Sequence, residues 1–593
     1  MKYTIFFYII MFCFQPFLQA QENNENKSIT SEELKSIVYT LASDSLQGRF
    51  PGTIESKTTA TFILSHFVNA NLEPLYDSGF QYFDFVNSTS LGEENELSFG
   101  NNVLKVNEDY MPLSFSTSGK FEGELSFAGY GFDISDNKIK WNDYNNIDPS
   151  NKWVIILRGE PHNDSISSPF ASYSSDRYKV MVAKDKGALG VILVSGPNHN
   201  KADKLAPLKG KFNSTGIPVV QIKREFANKL LTEEGFTIGK LEEKLDKGKA
   251  PVSFHFTDHI VHAKIDLVQE KIITQNVVAL LAGSDSLLKN EYILIGAHYD
   301  HLGMGGSGSS SRTPDSLAVH FGADDNASGV AAIMEIAEKF VSDTETPKRS
   351  IIFAAFGAEE HGLIGSKYFV AHPPVGVNKI KAMVNIDMVG RLNENREIKV
   401  SGVGTAIESK DIVDSFNIDG YTLSLNEAGY GPSDHASFYA NDIPVFFFSS
   451  GAHPDYHTPR DHPDKINYKG MEGVTKYIFS ISSYLANQSG NLTFQEAGPK
   501  EGTSSRSRTK VTLGIMPDVS SDSNEGLGVE FVTKGKPAYG GGMKKGDIIT
   551  AINGKEVKNI YDYMYRLSKL EFGEIITVEI KREDETKVLI IQL

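Results

Sequence analysis

Five short segments in the second half of the chain carry residue types that bind metal ions, and nearly every apolar run there ends in one. Ile295-Gly296-Ala297 leads into His298, and Asp300 follows two residues on. Asp325 lies in Gly322-Ala323-Asp324-Asp325-Asn326-Ala327-Ser328-Gly329, ahead of a helical pattern. Glu359 and Glu360 follow Phe356-Gly357-Ala358, Asp387 follows Asn385-Ile386, and His457 stands in Pro454-Asp455-Tyr456-His457-Thr458. Imidazoles and carboxylates hold a dication such as Zn²⁺ while leaving one position open for water. Two such ions about 3.5–4 Å apart need a shared carboxylate and can activate one water between them. His298, Asp325, Glu360, Asp387 and His457 supply two imidazoles and three acids, one of them free to bridge. The neighbours Glu359 and Glu360 point differently at a strand end, so one can ligate while the other stays free as a base. His301, His320, His361, His453 and His462 lie nearby and read as loop or packing residues.

Something must bring these segments together. Tyr292 to Ala297, Ile351 to Phe356, Ala382 to Ile386 and Pro444 to Ser449 are unbroken apolar runs, as strands buried on both faces require. Between the first two, Val330, Ile333, Met334, Ala337, Phe340 and Val341 mark one face of a helix. Alternation of strand and helix predicts an α/β domain with a mostly parallel sheet flanked by helices. Residues at the carboxyl ends of parallel strands meet in one crevice, where such folds bind their ligands.

In this order and local context the five segments resemble peptidase family M28, the zinc aminopeptidases. The resemblance covers about residues 30–112 and 257–488 and is strongest over 293–460. It implies two zinc ions per chain, with Asp325 bridging them. His298 and Asp387 would complete one site, Glu360 and His457 the other. It also implies that Glu359 is the general base and that Asp300 holds the His298 imidazole. Tyr430, in Ala428-Gly429-Tyr430-Gly431-Pro432-Ser433-Asp434-His435, would stabilise the oxyanion, and a cis peptide would follow Asp325. Asp434 and His435 match a recurrent family segment and fit a structural role.

The remaining chain divides by composition. Residues 1–20 read as a signal peptide, with Lys2, the apolar run Tyr3 to Phe14 and a cut after Ala20. The mature chain would then lose Cys13, its one cysteine, which excludes disulfides and thiolate ligands. Residues 28–112 form the N-terminal part of the peptidase domain, with a helix capped at Thr30 or Ser31 and a second from Thr59 to Ala70. Residues 113–256 are β-rich, with one clear helix at about Tyr178 to Lys186, and resemble a protease-associated (PA) domain. The cues are Gly129-Tyr130-Gly131, Trp153 to Arg158, and Lys186 to Val191. Residues 257–488 carry the catalytic domain, and 489–508 read as a Ser/Gly/Thr/Lys linker. Residues 509–593 resemble a PDZ domain through Leu513-Gly514-Ile515, Gly526 to Val529, Gly546 to Ile549 and Ile552-Asn553-Gly554.

A formal charge of −16 argues against nonspecific binding to nucleic acid or anionic lipid. The expectation is an exported metallo-aminopeptidase, periplasmic or extracellular, acting on peptides, with a peptide or protein ligand possible at the PDZ domain. Three other readings stay open. A zinc carboxypeptidase would need a cation for the substrate carboxylate, with Arg391 and Arg460 as candidates. A glutaminyl cyclase of similar fold uses one zinc, and a receptor-like binding protein would have lost its metals.

Overall fold

A computed structural model describes residues 28–498 and 511–593, apart from 136–138, 162–167, 209–213, 249, 307–308, 518–524, 534 and 584. The expected signal peptide and the second half of the expected linker lie outside the described residues.

The α/β domain is built on one nine-stranded sheet. After a short strand at Glu73–Pro74 come β1 (Phe80–Leu91), β2 (Leu267–Leu281), β3 (Tyr292–His298) and β4 (Ser350–Phe356). Then follow β5 (Ile380–Ile386), β6 (Glu397–Ser401), β7 (Thr422–Asn426) and β8 (Val445–Ser449). The four apolar runs form the centre, where β4, β3, β5 and β8 lie side by side and parallel.

The flanks correct the expectation of a mostly parallel sheet. β2 runs antiparallel to β4, β1 antiparallel to β2, and β6 antiparallel to β8, so the sheet is mixed. The cause is connectivity. β1 leaves for the inserted domain at Leu91 and β2 returns from it at Leu267, these two residues being partners. Two legs of one excursion pair antiparallel, whereas the central strands are joined by the long crossovers that parallel pairing needs.

Helices cover both faces. On one, α1 (Ser31–Leu41), α2 (Ile54–Asn69), α3 (Gly329–Ser342) and α4 (Tyr468–Asn487) pack with Ile293, Ile295 and Ala297. On the other, Leu294 meets Phe369 and Phe438 from two short helices. α1 forms as its sequence predicts: Thr30 caps it by accepting from Glu33 N at 3.2 Å, and Leu34, Ile37, Val38 and Leu41 are buried.

The insert has its own eight-stranded sheet and core. Its strands extend from Glu96 to Ile265, beyond the expected 113–256. Phe99 pairs with Val261 and Tyr110 with Ile222, so residues 96–112 and 257–265 belong to this sheet. Strand pattern alone names no pairing partner for these flanking strands. The expected helix is present at Asp176–Asp185, and two more follow at Arg224–Glu233 and Ile238–Gly248. The C-terminal unit packs its helix Ile560–Ser568 against the insert. There Arg566 Nη1 donates to both carboxylate oxygens of Asp185 (2.7 and 2.6 Å), and Tyr565 meets Tyr178 edge-on. Among the described residues no helix is long and apolar enough to cross a membrane.

Candidate metal centre

Each expected ligand sits just past the end of a central strand or in a loop beside it. His298 ends β3, Asp325 lies in the turn before α3, Glu360 follows β4, Asp387 follows β5, and His457 stands in the loop after β8. The backbone is strained where it aims them. Ala358, Met388 and His457 have positive φ (57°, 60° and 56°), a conformation that costs a non-glycine residue about 1–3 kcal/mol and clusters at working sites. Gly329 starts α3 where any Cβ would meet Ile386 O at 2.3 Å, so the helix lies close against β5. The Asp325–Asn326 peptide bond is cis.

The structure brings all five side chains to one point. His298 Nε2 faces Asp325 Oδ1 at 3.3 Å and Asp387 Oδ1 at 3.4 Å. His457 Nε2 faces Asp325 Oδ2 and Glu360 Oε2, each at 3.2 Å. Asp325 therefore stands between two groups, one oxygen toward each. The imidazole tautomers follow from their other nitrogens. His298 Nδ1 donates to the Asp300 carbonyl (3.1 Å) and His457 Nδ1 to the Ser310 carbonyl (3.0 Å), because a carbonyl can only accept. Each Nε2 is then directed at carboxylate oxygens. His457 Nε2, Asp325 Oδ2 and Asp387 Oδ1 are buried without any hydrogen-bond partner. Lone pairs packed against lone pairs repel unless a cation lies among them, and this donor set of imidazole and carboxylate suits a zinc-like ion. The residues present fit bound dications.

With no dication among them, the acids draw a proton onto the imidazoles instead. Burial alone lowers an imidazole, yet Glu359, Asp387 and Asp325 hold His298 well above its ordinary value. His457 is likewise pushed up to about 10 against its burial, by Asp325 and Glu360. Glu359 stands with His298 and Asp387 in one group of ligand-type atoms within 4.8 Å of one another. Limited solvent access, then Glu360, Asp434 and Asp387, hold its carboxyl well above the usual range. Such a group is built to take up a proton.

Asp300 and His301 have surroundings other than those expected of them. The Asp300 carboxylate is 3.8 Å from His298 Nδ1. Its oxygens accept instead from the N–H of Glu359 (2.9 Å) and Glu360 (3.4 Å), so it sets the loop of the two glutamates, while its carbonyl holds the imidazole. Tyr430 is half-buried against the core containing Phe438 and Tyr439. Tyr456, which the sequence reading passed over, stacks on the His457 ring at 3.8 Å. Its phenol is pushed far above the ordinary value by burial and then by Asp325, Glu360 and Asp387. Its adjacency to His457 was the available signal. His301, set aside as a loop residue, is fully buried. Its Nδ1 meets Glu360 Oε1 at 2.8 Å, which turns the other oxygen toward His457. Arg391 and Arg460 are both engaged by Asp455 (3.0 Å each), together with Lys465 (2.9 Å). Asp434 and His435 are fully buried, and His435 stacks on Phe447.

An α/β sheet whose parallel strands end in paired carboxylates and imidazoles defines the class of metal-dependent hydrolases. The family model of peptidase family M28 matches residues 276–482, that of the PA domain residues 122–230, and that of the PDZ domain residues 511–593. Residues 276–482 thus carry an M28 peptidase domain, accompanied by PA and PDZ domains. Aminopeptidase YwaD of Bacillus subtilis is 26% identical over 309 residues, half of this chain and 56% of that protein. Leucine aminopeptidase 1 of Arthroderma otae is 26% identical over 252 residues, 38% of this chain and 61% of that protein. Among solved structures, an aminopeptidase from Aneurinibacillus sp. strain AM-1 covers 80% of this chain and 97% of its own at 22% identity, with a TM-score of 0.45. The match thus spans less than two thirds of each of these two curated relatives.

Proposed function

We propose that the chain is an exported aminopeptidase that works with two zinc ions and removes N-terminal residues from peptides. One observation carries the reading: Asp325 offers one oxygen to the His298–Asp387 pair and the other to the His457–Glu360 pair, with buried atoms of the set left unpaired. His298, Asp387 and Asp325 Oδ1 would hold one ion, and His457, Glu360 and Asp325 Oδ2 the other. Ions so bound would supply Lewis-acid polarisation of the peptide carbonyl and lower the pKa of water at the site.

The protein's own groups do the rest. Glu359 takes the proton of the attacking water and returns it to the leaving amine, a task its raised affinity for protons suits. The Tyr456 hydroxyl, in the field of the site acids, donates to the developing oxyanion, the part first expected of Tyr430. Asp300 fixes the Glu359–Glu360 turn through their N–H groups, so the base and its neighbour keep their separate directions. The carboxypeptidase reading loses support, because Asp455 already binds both candidate arginines. The leader at Tyr3 to Phe14 with Ala20 fits export.

The test is hydrolysis of an aminoacyl-anilide series beside N-blocked and carboxy-terminal substrates, with and without chelator. Cleavage restricted to free N-termini, lost with chelator and restored by zinc, is expected. Cleavage from the carboxy terminus refutes the reading.

A further inference from the structure

A single carboxylate joins the loop of the shared acid to the loop of His457. Asp461 lies four residues beyond His457 and is fully buried. Its Oδ2 accepts from the backbone N–H of Asp324 (2.9 Å) and of Asp325 (3.1 Å), and its carbonyl accepts from Ala323 N (3.1 Å). Three consecutive N–H groups of one ligand loop thus end on one residue of the other. The opposite oxygen, Asp461 Oδ1, has no hydrogen-bond partner and faces His453 Nε2 at 3.8 Å. That nitrogen is also 3.3 Å from Asp324 Oδ2, which is unpartnered too. Asp324 Oδ1 then accepts from Gly390 N at 2.6 Å, reaching the segment just beyond Asp387. His453, Asp324 and Asp461 therefore span the loops of three expected ligands.

Spacing gives this arrangement its consequence. Ligand atoms at bonds of about 2.0–2.1 Å around a tetrahedral ion stand roughly 3.3 Å apart. His457 Nε2 and Asp325 Oδ2 are 3.2 Å apart. A slip of the two loops by a few tenths of an ångström removes that match, and the Asp461 bonds are what oppose it.

Resting on the two-ion reading above, we infer that Asp461 is a positioning residue for the metal centre. It sets the distance between Asp325 and His457 through the two N–H bonds it accepts, and His453 Nε2 packs against the facing oxygens of Asp324 (3.3 Å) and Asp461 (3.8 Å).

The full-length metal-free protein is titrated with zinc in competition with a chromophoric chelator, beside thermal unfolding in excess chelator. Asp461→Ala should weaken the looser ion 10- to 100-fold, the usual consequence of removing a partner that orients a ligand. Asp461→Asn keeps an oxygen for both N–H groups and changes only the atom that faces His453, and should stay within about threefold of wild type. His453→Leu leaves the N–H bonds intact and should give an intermediate loss; it decides the matter alone if the alanine variant does not fold. Wild-type affinity in the alanine and leucine variants, whatever their thermal midpoints, overturns the inference and leaves Asp461 a structural staple. If the wild type itself takes up no zinc, the two-ion reading is what fails.

Discussion

Arg49 offers the sharpest test of how the site loops are held. The residue is 1% exposed, lies in the turns between α1 and α2, and donates to four backbone carbonyls. Nε bonds Tyr299 O at 2.8 Å, Nη1 bonds Leu41 O at 2.6 Å and Phe321 O at 2.8 Å, and Nη2 bonds Gly322 O at 2.9 Å. Tyr299 lies between His298 and Asp300, and Gly322 opens the Asp325 loop. One guanidinium thus joins the N-terminal segment to both. Burial lowers its pKa only to about 10, opposed by Asp325, Asp300, Asp461 and Glu360, so it stays charged at neutral pH. Hydrogen bonds from a charged donor are worth about 1.5–3 kcal/mol each. Four would give roughly 6–12 kcal/mol gross, offset by several kcal/mol for desolvating the guanidinium. Arg49→Met fills similar space but strands the four carbonyls, and should cost about 3–5 kcal/mol. Arg49→Lys, with three donors on a point charge, should recover part of it. Urea unfolding of the zinc-loaded protein by circular dichroism reads the loss. The chain's two tryptophans, Trp141 and Trp153, are both in the insert, so intrinsic fluorescence gives an internal control that should not move. A methionine variant within 1 kcal/mol of wild type, with unchanged hydrogen exchange around Tyr299 and Ala323, would show that water replaces Arg49 and refute the reasoning.

Other consequences can be measured independently. Glu359→Gln should lower kcat 10²- to 10⁴-fold while zinc content, by metal analysis, stays at the wild-type level. Tyr456→Phe should cut kcat more than Tyr430→Phe, and equal losses in steady-state kinetics would return the oxyanion role to Tyr430. In the insert, burial pushes the Asp143 carboxyl up to about 7 against the N–H groups of Phe132 and Tyr130 that bond it. Between roughly pH 4 and 7 the folded domain keeps a proton that the unfolded chain has released, so this contribution is present below about pH 4 and lost as pH rises through 7. Fluorescence-monitored urea midpoints should show that slope, and Asp143→Asn should flatten it. Arg566→Ala should weaken docking of the C-terminal unit by about 2 kcal/mol, seen as faster hydrogen exchange in helix Asp176–Asp185.

Sequence determined what local pattern can carry. The central strands declared themselves because strands covered on both faces must be apolar throughout, and His298, Glu360 and Asp387 because each stands at the end of such a run. Thr30 and the spacing of Leu34, Ile37, Val38 and Leu41 gave α1 from capping and periodicity alone. Tertiary structure decided what depends on partners distant along the chain. The direction of β2 and β6, and the insert's claim on residues 96–112 and 257–265, follow from pairings that no local period encodes. The same holds within the site. A residue's type announces that it can bind a metal or a proton, but Asp300 turned to two N–H groups rather than an imidazole. Asp455 took up Arg391 and Arg460, and Asp461 and Arg49 joined loops more than a hundred residues apart. Hydrogen-bond partners are chosen by where the folded backbone leaves its unsatisfied N–H and C=O groups, and only the assembled chain fixes those positions.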